Sequence, residues 1–128
     1  PNLLKYIRKE RLHAIALLIG SIGLGLLWFI RNQYLLLVCF AFIGIAWSSI
    51  STVPYKIISD HAPENKMTAY FAVFNFSVVI PQITAAFLLG YVNKHFFAGE
   101  TINIILSGAC SMFIAGLIML FIKNNDFK

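Results

Sequence analysis

A chain of 128 residues that is 59% hydrophobic and only 12% charged is more apolar than soluble domains, in which hydrophobic residues make up roughly 45 to 50%. At this length the interior is too small to bury the excess, so apolar surface must face lipid. The net charge of +5 comes from basic residues grouped between apolar stretches rather than along one face, which argues against nucleic acid as a partner. The composition therefore predicts an all-α membrane protein whose first partner is the lipid bilayer.

Four apolar stretches predict four transmembrane helices. They cover residues 12–30, 34–58, 67–92 and 102–122, and Lys56 is the one charged residue within them. Each stretch has about 19 residues or more, and at about 1.5 Å per residue it can cross a hydrocarbon core about 30 Å thick. We therefore predict a single membrane domain over residues 1–128, with both ends on the same side of the membrane.

The basic residues predict which side that is. Most lie before the first stretch, beside the connection between the second and third, or after the fourth; they are Lys5, Arg8, Lys9, Arg11, Lys56, Lys66, Lys123 and Lys128. Arg31 and Lys94 fall on the opposite side. Since cytoplasmic loops carry the excess of Lys and Arg, we expect a multi-pass protein of the plasma membrane with both termini in the cytoplasm.

The first and last stretches carry small residues that predict close helix packing. The positions are Gly20, Gly23 and Gly25 in the first, and Ser107, Ser111 and Ala115 in the last. Cys39 and Cys110 lie within apolar stretches without metal-ligand spacing, and we expect both to be packing residues.

The second stretch carries a patch of small and polar residues. Gly44, Ser48, Ser51 and Tyr55 fall on one face of a helix, and Pro54 lies beside them. Small hydroxyl residues allow helices to pack closely, and they can also line a cavity. Both interpretations stay open, so Ser48 and Ser51 are candidate substrate contacts, and Pro54 is a candidate gating or structural position.

The third stretch carries two amides. Asn75 and Gln82 are seven residues apart, so they lie within about 20° of each other around the helix axis. Pro81, between them, is expected to kink the helix and to free a backbone carbonyl near Ser77. Since unpaired amides are costly in hydrocarbon, Asn75 and Gln82 either bind a polyhydroxylated solute or join helices.

The connection between the second and third stretches is predicted to be a polar inner loop over residues 59–66. Asp60 and Lys66 either pair across this loop as a gating or structural element, or lie in a solvated loop without coupling. A pair in water contributes only about 0 to 1 kcal/mol, so the expected effect is small.

No catalytic constellation is evident. Ionisable residues are absent from the middle of every stretch, and no Ser/His/Asp set, phosphate-binding glycine loop or metal-ligand spacing occurs. His13, His61 and His95 lie near the ends of stretches, where they are expected to be interfacial. We therefore expect no enzyme activity, no metal and no cofactor.

Three segments together resemble one family of secondary transporters. They are residues 44–55 (GIAWSSISTVPY), residues 59–63 (SDHAP) followed by Lys66 and Met67, and residues 74–82 (FNFSVVIPQ). The combination resembles the sucrose and maltose proton symporter branch of the major facilitator superfamily. The resemblance implies helices nine to twelve of a twelve-helix fold, which agrees with a chain that begins at Pro1 and is expected to be part of a longer protein.

The resemblance also implies a function. Such a transporter holds its substrate near the midplane between two six-helix halves and works by alternating access. The implied partners are a sugar, a proton and the preceding helices of the same chain, with the coupling acid in the first half. Residues 8–11 lie where the superfamily has a loop rich in Gly, Asp and Arg, but Gly and Asp are missing here, so that loop's gating role does not carry over. The alternative is a non-transporting helical membrane module, such as a sensor or an assembly subunit.

Overall fold

The computed structural model describes residues 9–121, which form four α-helices and no strand. The helices are α1 (Lys9–Leu26), α2 (Gln33–His61), α3 (Met67–Phe96) and α4 (Thr101–Phe121), with a one-turn 3₁₀ helix at Glu64–Lys66. The all-helical prediction is confirmed. The predicted end of the last stretch at residue 122, and the basic residues Lys5, Arg8, Lys123 and Lys128, lie outside the described residues.

Three segments of the described chain are long and apolar enough to cross a membrane. They are Gln33–His61, Glu64–Phe96 and Thr101–Phe121. These helices make the chain compatible with a multi-pass membrane protein. The first helix is not among them: at about 1.5 Å per residue its 18 residues extend about 27 Å, and Lys9, Glu10 and Arg11 occupy its beginning. The fourth crossing therefore stays a prediction.

The tight turn before α2 follows from one polar side chain. The backbone N–H of Tyr34 donates to Asn32 Oδ1 at 2.9 Å, so Asn32 caps the first turn of α2. On the other side of the turn, α1 ends at Leu26 rather than Ile30, because the following residues form tighter backbone bonds such as Trp28 N–H to Gly25 C=O at 3.2 Å.

The connection between α2 and α3 is shorter than predicted. Ser59, Asp60 and His61 belong to α2, because an ion pair between Lys56 and Asp60 and a hydrogen bond from His61 Nδ1 to the Ile57 carbonyl support the last turn. The chain leaves the helix at Ala62 and Pro63, and the Pro63 backbone is extended, with a ψ angle of 138°.

The far end of α3 is closed by a left-handed turn. Ala98 and Gly99 have φ angles of 51° and 84°, and the Gly99 N–H donates to the Asn93 carbonyl at 2.9 Å. A left-handed residue just past a helix allows this bond back to the last turn, and glycine adopts such a φ without strain.

The helices divide between two compact units. Unit 1 contains α1, the part of α2 up to Val53, and α4 from Ile105 onwards, and unit 2 contains residues Pro54–Ile104. All the buried residues on the described helices belong to unit 1: Ala14, Ala16, Leu17, Gly20, Ser21, Gly23, Cys39, Ala46, Ala109 and Gly116.

Two of the predicted glycines form the centre of unit 1. A methyl group added to Gly20 would overlap the Ala46 Cβ and the end of Met112, and one added to Gly23 would lie 2.8 Å from the Phe42 Cβ. The close-packing prediction is confirmed at both positions. It is wrong at Gly25, where an added methyl group would meet nothing within 4 Å.

The seam on α4 lies one residue further along the chain than predicted. Ser111 and Ala115 are exposed, whereas Gly116 is buried and an added methyl group there would lie 3.0 Å from Leu18. Adjacent positions on a helix differ by about 100°, so the face predicted at Ser111 and Ala115 is wrong. Ser107 is half-buried, and the shifted seam does not extend to Gly108, where an added methyl group would meet nothing within 4 Å. Cys39 is fully buried, as a packing residue should be, but Cys110 is exposed.

Candidate functional site

The two candidate residues of α3 lie in unit 2, and one of them has a partner on α2. The Tyr55 hydroxyl donates to Asn75 Oδ1 at 2.7 Å. The bond satisfies the acceptor end of the amide, which would be costly to leave unpaired in hydrocarbon. Asn75 therefore joins α2 to α3, while its NH₂ group forms no hydrogen bond with any residue that the structure describes.

Aromatic contacts hold the Tyr55 ring in place. Its centroid lies 5.0 Å from that of Phe74 in an edge-to-face arrangement, and 5.8 Å from that of Phe71. Each such pair contributes about 0.5 to 1.5 kcal/mol beyond the apolar area that it buries. The packing of the ring thus determines where the hydroxyl meets Asn75. The sequence placed Tyr55 on a polar face but indicated no partner for it.

Gln82 keeps its hydrogen-bonding capacity. Its side chain is exposed, and it forms no hydrogen bond with another described residue. α3 runs without interruption through Pro81. The nearby hydroxyls are already used, because Ser77 donates to the Phe74 carbonyl at 2.7 Å and Thr84 to the Ile80 carbonyl at 2.9 Å. Around Pro81 the hydroxyls are therefore occupied, and the Gln82 amide is not.

A cavity of about 440 Å³ opens beside the aromatic contacts. Its lining residues are Ile58, Ala69, Tyr70, Val73, Phe74 and Ser77. Phe74 also contacts Tyr55, but neither Asn75 nor Gln82 lines the cavity. A largely apolar cavity of this size, with few polar groups nearby, is typical of small-molecule sites, which have volumes of about 300 to 1,000 Å³.

Ser48 and Ser51 belong to unit 1, and both are exposed. The Ser48 carbonyl accepts a hydrogen bond from the Thr52 hydroxyl at 2.7 Å. Gly44, on the same predicted face, would meet nothing within 4 Å if it carried a methyl group. Within unit 1 this face therefore makes no close packing at Gly44, and Ser48 and Ser51 stay candidate substrate contacts.

The structure places a different serine in contact with α1. His13 Nδ1 and the Ser49 hydroxyl share a hydrogen bond of 2.8 Å, and both residues are half-buried. The bond joins α1 to α2 within unit 1. The sequence showed only a histidine near the end of a stretch and a serine in a polar patch, so their pairing was not predicted.

Asp60 pairs with a residue other than the predicted one. Its Oδ1 lies 2.8 Å from the Lys56 Nζ, one helical turn earlier, whereas Lys66 was the expected partner. The reason is that α2 continues to His61, which places Asp60 above Lys56 on the helix surface. α2 also continues through Pro54. The gating roles of Asp60, Lys66, Pro54 and Pro81 stay predictions.

The part of the chain that the structure describes is helical, with three segments long and apolar enough to span a membrane. No protein-family model matches the chain, and no curated protein and no solved structure matches it either. A more particular function therefore depends on the motif resemblance and on the chemistry of α3.

Proposed function

We propose that the chain is the carboxy-terminal part of a secondary active transporter, a proton-coupled symporter for a sugar of the sucrose or maltose kind. The motif resemblance over residues 44–55, 59–67 and 74–82 supports the family, and three long apolar helices support a membrane location. The observation that carries the proposal is the hydrogen-bonding capacity of two groups on a helix apolar enough to span a membrane. They are the NH₂ group of Asn75 and the whole amide of Gln82.

Amides suit this substrate class because a sugar presents many hydroxyl groups, each of which donates and accepts hydrogen bonds. A side-chain amide offers two N–H donors and a carbonyl acceptor on one planar group. Polar groups at membrane depth are expensive and frequently mark a substrate pathway. Gln82, with its whole amide available, and Asn75, with its NH₂ group available, are the proposed sugar contacts of unit 2. Ser48 and Ser51 stay the candidate contacts of unit 1.

The rest of the transporter supplies what the chain does not carry. In the proposed arrangement these are the last four helices of twelve, with both termini in the cytoplasm and the plasma membrane as the location. Alternating access then exposes the sugar to one side of the membrane at a time. The proton-binding carboxylate is assigned to the preceding helices, by analogy with the family that the motifs resemble.

The test is sugar uptake by the complete transporter in proteoliposomes. Radiolabelled sucrose and maltose are supplied outside, with the external medium more acidic than the interior. We expect uptake of at least one sugar above that of protein-free liposomes, and loss of this uptake when a protonophore collapses the pH gradient. Absence of uptake of both sugars by folded protein would rule out this symport activity.

The alternative of a non-transporting membrane module has its own supporting observation. The Tyr55–Asn75 bond joins two helices, and the glycines of unit 1 allow close packing, so these features are useful to a sensor or an assembly subunit as well. In that case the polar residues stabilise the bundle without contacting a solute. Folded protein that takes up neither sugar, but loses stability when Asn75 is replaced, would favour this module.

A further inference from the structure

The direction of the Tyr55–Asn75 hydrogen bond determines which chemistry the amide offers to a ligand. A phenol hydroxyl can donate to the carbonyl end of an amide or accept from its NH₂ end. Here the Tyr55 hydroxyl donates to Oδ1 at 2.7 Å. The carbonyl end of Asn75 is thereby used, and both N–H donors stay available.

We propose that Tyr55 is a positioning residue that holds the Asn75 amide with its NH₂ group free, so that Asn75 acts as a hydrogen-bond donor to an oxygen atom of the sugar. The inference rests on the transport function proposed above and deepens it. The atoms that it selects on the ligand are acceptors, namely hydroxyl, ring or glycosidic oxygens.

The packing of Tyr55 fixes the position of the hydroxyl that Asn75 meets. Phe74 contacts the ring edge-to-face, and Phe71 lies 5.8 Å away on a tilted plane. A phenol hydroxyl lies at the end of a rigid ring, so fixing the ring fixes the oxygen. If the amide rotated by half a turn, its NH₂ would meet Tyr55 and its carbonyl would be offered to the sugar instead. Loss of the Tyr55 hydroxyl removes the bond that holds Asn75 Oδ1 and leaves the amide free to turn.

Asn75→Asp separates ligand binding from helix joining. Aspartate has nearly the same shape and still accepts the hydrogen bond from Tyr55, but an ionised carboxylate has no N–H donor. We expect the KM for the transported sugar, sucrose or maltose, to rise about 5- to 150-fold among the variant molecules that stay folded. A residue that only joins helices would leave the KM unchanged, and that result would overturn the inference.

Tyr55→Phe tests positioning directly. It keeps the ring against Phe74 and removes only the hydroxyl. We expect the KM to rise about 2- to 10-fold with an unchanged maximal rate per folded molecule. In the Tyr55→Phe, Asn75→Asp double variant the KM should be no higher than in Asn75→Asp alone, because no amide remains to be oriented. If the KM of the double variant rises by the product of the two single effects, the positioning role is contradicted.

Tyr91→Phe is the matched control, because Tyr91 is an exposed tyrosine of the same unit and its ring stacks on His95. Removing its hydroxyl should leave the KM unchanged. If Asn75→Asp does not fold, the Tyr55→Phe result decides the matter. If the wild type transports sugar and both variants keep a normal KM, the orientation inference fails and the proposed function stands. If the folded wild type takes up neither sugar, both fail.

Discussion

Helices α1 and α3 show two different uses of a helix in this protein. α1 has 18 residues, begins with charged side chains, and buries six residues, most of them small. α3 has 30 residues and is apolar enough to span a membrane, yet it buries none. Hydrophobicity alone therefore does not bury a helix when lipid is the solvent. Small side chains allow close contact, whereas α3 keeps its surface, the Gln82 amide and the Asn75 NH₂ group available for other partners.

The largest stability effect is expected at the glycines of α1. Gly20→Ala should lower the free energy of unfolding by about 1 to 3 kcal/mol, because the added methyl group overlaps Ala46 and Met112. Gly25→Ala is the matched control on the same helix, where open space should leave the stability equal or up to about 1 kcal/mol higher. Denaturation in detergent micelles measures both. Equal effects at the two positions would show that close packing does not distinguish them.

A smaller effect is expected from the polar link of α1. The hydrogen bond between His13 and Ser49 should give a coupling free energy of about 0.5 to 1.5 kcal/mol in a double-mutant cycle of His13→Ala and Ser49→Ala. The neighbouring Ser48→Ala serves as the control, since the described bond at Ser48 uses its backbone carbonyl. Additive effects of His13→Ala and Ser49→Ala would show that the bond contributes nothing to the stability of unit 1.

The smallest effect is expected at the surface ion pair of α2. Lys56→Gln should lower the free energy of unfolding by only about 0.2 to 0.5 kcal/mol, because an exposed pair one turn apart is screened by water. Lys66→Gln should have no effect on this pair. A loss above about 1 kcal/mol for Lys56→Gln would mean that the pair has a structural importance that its exposure does not indicate.

The helices, and the beginnings of α2, α3 and α4 to within one residue, could be predicted from hydrophobic stretches, but the carboxy-terminal ends of α1, α2 and α3 could not. Long apolar segments specify a helix in any context where lipid excludes unpaired backbone groups. The ends depend on single local bonds, such as the Lys56–Asp60 pair that keeps α2 helical to His61. The seam of α4 shows the same limit, because a four-residue spacing occurs on several faces, and only contact with α1 selects Met112 and Gly116.

The candidate site was predictable by residue type and not by partner. Amides in an apolar helix indicate a need for hydrogen bonds, so Asn75 and Gln82 could be selected from the sequence alone. Tyr55 lies 20 residues from Asn75, and their bond depends on the rotation of two helices about their axes. The His13–Ser49 bond spans 36 residues for the same reason. Periodicity places residues on a face of their own helix but does not say which face a neighbouring helix covers.

The most direct test of the proposed transport function compares Asn75 and Gln82 of α3 in the complete protein. Sugar uptake per folded molecule is measured in proteoliposomes for Asn75→Ala and Gln82→Ala, with surface expression and thermal unfolding recorded alongside. Losing a buried hydrogen bond costs about 1 to 3 kcal/mol, so each variant should bind sugar about 5- to 150-fold more weakly while expression stays near normal. Unchanged sugar affinity in both variants, with lower expression and stability, would contradict the account and leave the amides as helix-joining residues.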